Sequence, residues 1–224
     1  MVDDKPALSE SDSLLILKSL AVGIAGGLFA GLFGVGGGLI MVPLFISWLK
    51  LDRKCAHATS LVVIIPLALV ASYGYARSDN VSWMSAGALL VGALGGAVLG
   101  ARYLQVIPKR RLQIIFTIVL LATAVRLLYS DQPSHLLHGN ASYLVLAIAG
   151  VFAGALSGLL GVGGGIIMIP VLMLATGTSS LIARGTSLVV IVGTALSGAL
   201  THHRHALVNS RVAVWTVAGG LPGT

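Results

Sequence analysis

Hydrophobic positions in this chain come in long unbroken runs, without the period-two alternation of a half-buried strand or the single stripe of a soluble amphipathic helix. Charged residues concentrate in residues 1–13 and in breaks at 50–57, 77–80, 102–111, 130–142 and 202–205. A helix needs ~20 apolar residues to cross a bilayer. The run at 14–33 has that length, 59–76, 81–104 and 112–129 read as three further spans, and 39–49 is too short to cross unaided. The expected fold is all-α, a polytopic integral membrane protein.

Between the first run and the short one lies GLFGVGGGLIMVP at residues 31–43, which returns as GLLGVGGGIIMIP at residues 158–170. Gly31 to Gly158 is an offset of 127 positions, and it holds without a gap from Gly23 and Gly27 (Gly150 and Gly154) to Gly92 and Gly96 (Gly219 and Gly223). The chain therefore reads as two homologous repeats with glycine-interrupted helices: a polar segment 1–13, a first repeat 14–129, a linker 130–142 and a second repeat 143–224. The last run, from about residue 212, is too short to cross, so the second repeat is expected to lack the end of one helix and the whole of another. Glycines four apart at Gly23, Gly27 and Gly31, and at Gly92, Gly96 and Gly100, predict close helix packing.

Composition sets the medium: 56% hydrophobic and only 9% charged residues, against roughly a quarter charged in a soluble domain. A net charge of +7 would suggest nucleic acid in a soluble protein, but here the basic residues sit between apolar runs, where they report topology. No nucleic-acid partner is expected; the partners are the lipid bilayer and a small solute, with self-association left open. Residues 1–13 lack the basic start and cleavage site of a signal peptide, so retention of the N-terminus is expected. The single cysteine, Cys55, excludes an internal disulfide. The breaks at 50–57 and 102–111 should both be cytoplasmic. If each glycine knot lies inside one long crossing the repeats are parallel; if it turns the chain back, making 39–49 a half-helix, they are inverted.

Each interior glycine costs a helix ~1 kcal/mol relative to Ala, so a motif that twice accepts four of them points to exposed backbone. Gly36, Gly37 and Gly38, and Gly163, Gly164 and Gly165, each precede an apolar helical run, which places N–H groups and the positive end of a helix dipole at the knot. Two such ends meeting near the midplane would hold an anion without a lysine; the alternative is tight helix crossing or a kink. Thr59-Ser60 and Thr186-Ser187 supply hydroxyls at matching places, as anion donors or as helix caps. His57 and Arg184 are equivalent basic residues that draw anions or merely flank a span. Pro43 and Pro170 fix a kink or serve as hinges. His135 and His138, and His202, His203 and His205, lack a clear ligand set, so no metal and no cofactor are expected. No Asp or Glu lies inside an apolar run, so no carboxylate proton relay is visible. No GxSxG, HExxH or GxxxxGK motif is present, and an enzyme is not expected.

The paired knots, each followed by an Ala/Gly-Thr-Ser-Leu segment, resemble the sulfite exporter TauE/SafE family of membrane permeases, over nearly the whole chain from about Leu14. The resemblance implies a secondary carrier in the cell (inner) membrane, multi-pass, moving small and often sulfur-containing anions such as sulfite or organosulfonates. A passive anion channel is the alternative. The chain departs from the family pattern by stopping before its final span.

Overall fold

The computed structural model describes residues 10–103, 121, 140–160, 164–203 and 208–224. Among them the chain forms eight α-helices and no strand. These are α1 (Glu10–Phe33), α2 (Gly38–Ser47), α3 (Arg53–Arg77), α4 (Trp83–Tyr103), α5 (Asn140–Leu160), α6 (Gly165–Thr176), α7 (Ser180–His203) and α8 (Ser210–Gly220), the last followed by a 3-10 turn, Leu221–Gly223. Within the described residues, α1, α3 and α7 contain stretches long and apolar enough to cross a membrane, at Asp12–Phe33, Arg53–Arg77 and Ser180–Ala199. The expected span at 112–129 apart from residue 121, the linker apart from its last residues, Gly163, His135, His138 and His205 lie outside the described residues.

Two boundaries differ from the hydropathy reading. Helix α3 starts at Arg53, six residues before the expected run, because Asp52 caps it: the Lys54 N–H donates to Asp52 Oδ2 at 3.2 Å. Helix α7 likewise starts at Ser180, where the Ile182 N–H donates to Ser179 Oγ at 3.4 Å. A capped helix continues through charged residues once it leaves the apolar layer, so the basic break at 50–57 is partly helix. Thr59-Ser60 and Thr186-Ser187 consequently sit in the second turn of their helices, not the first.

Packing exchanges elements between the two copies. Helix α1 lies along α8 and α4 along α5, while α3 and α7 pack against each other at the centre. The glycine stripes make these contacts: a Cβ on Gly23 would lie 2.1 Å from the Thr216 carbonyl oxygen, on Gly27 2.1 Å from that of Gly220, on Gly92 1.9 Å from that of Ala147 and on Gly96 2.0 Å from that of Val151. Only hydrogen fits at such distances, which is why the spacing of four recurs. Both pairs ascend together and are parallel. Helices α3 and α7 are antiparallel, since Gly185 near the start of α7 abuts Asn80 and Tyr75 past or near the end of α3, whereas Gly198 meets Leu61. Corresponding helices of the two copies thus run in opposite senses.

Matched residues fill matched places in the interior. Met41 and Met168, Leu61 and Leu188, and Ile64 and Ile191 are all fully buried. Outward faces carry Leu17, Met84, Val91 and Leu144, each more than half exposed, an apolar exterior that suits lipid.

Candidate functional site at the paired glycine knots

Both knots turn the chain back instead of threading it through. Gly34, Gly36 and Gly37 have φ of 70°, 79° and 74°, and Gly164 has 73°. A side chain at such angles is strained, so the reversal between α1 and α2 requires glycine. Gly37 and Gly164 are the N-caps of α2 and α6 and bring no side chain to cap them. Their carbonyls accept from the third and fourth residues onward, Ile40 and Met41, and Ile167 and Met168. The earlier N–H groups of α2, from Gly38 and Leu39, meet no acceptor among the described residues. Each half-helix is backed in the same way: a Cβ on Gly37 would strike the Gly26 carbonyl oxygen at 2.3 Å, and one on Gly164 that of Ala153, the equivalent residue, at 2.8 Å.

The two knots touch. A Cβ on Gly165 would lie 2.9 Å from Val35 Cα and 3.0 Å from the Gly34 carbonyl oxygen, and 2.8 Å from Ile191 Cδ1, while one on Gly36 would lie 3.0 Å from Ile191 Cγ2. Gly34, Gly36, Gly37, Gly38, Gly164 and Gly165 are all buried. The helix starts therefore converge in the protein interior, with the N-terminal ends of two dipoles close together. As packed, backbone meets backbone with no room for a solute between Gly165 and Val35.

The four predicted hydroxyls are fully buried and tied to main chain, and Ser187 reaches the first knot. Thr186 Oγ1 accepts from the Ser82 N–H at 2.9 Å, and Thr59 Oγ1 from the Asn209 N–H at 3.0 Å. Ser82 and Asn209 are themselves related by the offset of 127 and precede α4 and α8, so each threonine pins the turn into the helix that leaves the centre. An oxygen that accepts in this way keeps its own proton to donate, and that of Thr59 also has Cys55 Sγ at 3.9 Å. Ser187 is committed differently: its hydroxyl has the Gly34 and Arg184 carbonyls at 2.7 and 2.8 Å, so its one proton goes to backbone. The Ser60 hydroxyl donates to the His57 carbonyl at 2.8 Å. Arg184, half-buried, sends its guanidinium to the Leu32 carbonyl at 2.8 Å, where a cation offsets the negative end of α1.

Sequence reasoning missed three participants. Tyr75 donates to the Gly31 carbonyl at 2.8 Å and ties the end of α3 to the end of α1. Ser82 and Asn209 carry the backbone donors, and following the offset through the polar breaks would have paired them. Among the described residues no group of three His, Cys, Asp or Glu side chains could hold a metal.

Comparison with known proteins identifies the family. The family described as Sulfite exporter TauE/SafE matches residues 5–127 and 145–224. A probable membrane transporter protein of Xylella fastidiosa strain Temecula1 is 31% identical over 219 residues, covering 93% of this chain and 84% of that protein. One from a second strain of the species is 33% identical over 221 residues with the same coverage, and one from Methanocaldococcus jannaschii is 28% identical over 173 residues, covering 74% and 65%. No solved structure matches. With the family matched across both repeats, the chain belongs to the sulfite exporter TauE/SafE family of membrane transporters.

Proposed function

We propose that the chain is a multi-pass secondary carrier of the cell (inner) membrane for small anions, with sulfur oxyanions such as sulfite or organosulfonates first among them, and that the anion is received where the two knots meet. The observation that carries this reading is the contact of Gly165 with Gly34 and Val35. It brings two uncapped helix starts, with their N–H groups and positive dipole ends, to one buried place. A small oxyanion suits such a site, because main-chain donors wrap a compact charge without a lysine. The sulfur preference rests on the family's description. Thr186 is the hydroxyl with a proton left to offer, Thr59 the one that must give up Cys55 Sγ to do so, and Ser187 supports the first knot through Gly34.

The opposed senses of corresponding helices favour an inverted repeat over a parallel one, the architecture that alternates access by rocking two halves about a fixed site. Because the knots are in contact, the anion enters only when they part, which is the expectation for a carrier and not for a standing pore. Lys50, Arg53, Lys54 and Arg211 share one end of the bundle, with Arg77 and Arg184 at the other, so the first end is assigned to the cytoplasm.

The test is uptake or efflux of sulfite, sulfonates, thiosulfate, sulfate and carboxylates by the full-length protein, alongside Gly36→Ala and Gly165→Ala, whose added methyls press on Ile191 and Val35 where the knots meet. Membrane insertion should persist and transport should be lost in both variants. Undiminished transport in variants that insert would remove the knots from the site, and flux that never exceeds the gradient or ignores an ionophore would replace the carrier with a channel.

A further inference from the structure

The start of α7 is fastened to the end of the first copy's opening helix and knot by two side chains. Arg184 donates to the Leu32 carbonyl at 2.8 Å and Ser187 to that of Gly34 at 2.7 Å, one turn apart on α7. Beneath them the backbones almost touch: a Cβ on Gly34 would lie 2.8 Å from Arg184 Cα. Leu32 lies in the last turn of α1, and Gly34 opens the reversal that leads to the knot contact. This bridge therefore lies over the knots at the end of the bundle that holds Tyr75 and Arg77, away from Lys50, Arg53 and Lys54.

We propose that Arg184 and Ser187 are gating residues, which hold the face opposite the basic loops closed and must release Leu32 and Gly34 for the knots to open to that side. The proposal rests on the carrier reading above. A guanidinium bond to a carbonyl carries charge and is worth more than a neutral one, so its loss should shift the closed-to-open balance roughly tenfold. The first copy's counterpart of Arg184 is His57, which lacks a forked donor.

The experiment places a reporter thiol at Ile191→Cys, which is buried and touches both knots, in a chain whose native thiol is removed by Cys55→Ala. A charged, membrane-impermeant thiosulfonate is applied to spheroplasts and, separately, to inverted vesicles. Adding Arg184→Ala should raise the labelling rate about tenfold from one side and leave the other unchanged, Ser187→Ala should raise it from that same side by less, and Arg184→Lys, which keeps a donor, should fall between parent and Arg184→Ala. Unchanged rates, or an equal rise from both sides, overturn the proposal, the second result marking the pair as merely structural. Concentrative transport by the parent is measured in the same preparations. If the parent proves passive, the carrier reading falls, and one-sided labelling still reports the gate.

Discussion

The two copies agree where backbones meet inside the protein and differ where helices emerge from it. Gly37 and Gly164, Thr59 and Thr186, and Met41 and Met168 keep the same identity and surroundings. At the ends, Asp52 caps α3 where Ser179 caps α7, His57 stands opposite Arg184, and Lys50 holds φ 55° where Gly177 holds 65°. An interior contact between mirrored elements has to be satisfied twice with the same geometry. The starts of α3 and α7 emerge at opposite ends of the bundle, and nothing ties their chemistry together.

The largest effect should come from breaking the interior agreement. In α4, Gly92→Leu or Gly96→Leu would drive a side chain into the α5 backbone, and Gly27→Leu would do the same between α1 and α8. Each is expected to lose several kcal/mol, enough to prevent recovery of folded protein, since overpacking alone costs ~1–3 kcal/mol and here the obstacle is main chain. Gly87 and Gly95 on the same helix have nothing within 4 Å of a built Cβ, so Gly87→Ala and Gly95→Ala should be neutral or mildly stabilising. Thermal unfolding in detergent separates the two sets, and equal sensitivity would discredit the packing.

A middle-sized effect tests whether the copies are equivalent. Thr59→Val and Thr186→Val each orphan one half-buried backbone N–H, of Asn209 and of Ser82, and each should cost about 1 kcal/mol. Similar losses would support matched roles, and a large disparity would show that one latch dominates. The smallest effect probes the divergent ends. Lys50→Gly relieves a left-handed residue and should raise stability by up to ~1 kcal/mol, whereas Gly177→Ala should lower it by about as much. A drop with Lys50→Gly would mean the lysine side chain supplies more than the strain removes.

Much of this was legible beforehand from particular residues. The apolar runs foretold the helices, and the four-residue glycine spacing foretold close contacts at Gly23, Gly27, Gly92 and Gly96 because only one face of a helix repeats at that interval. Helix starts were misplaced at α3 and α7, where capping by Asp52 and Ser179 carries the helix beyond the apolar layer that hydropathy measures. The role of Ser187 was not legible, since a hydroxyl in a chain gives no sign of whether its proton will reach a solute or a carbonyl 153 positions away.

The amino-acid order by itself determined the medium, the all-helical build, the duplicated motif and the places where only glycine is tolerated, because these depend on local composition, period and backbone conformation. Tertiary structure alone decided that the knots reverse the chain, that Gly165 lies on Gly34 and Val35, and that Arg184 and Ser187 bridge to the other copy. Those are relations between segments more than a hundred residues apart, and they come into being only when the helices pack.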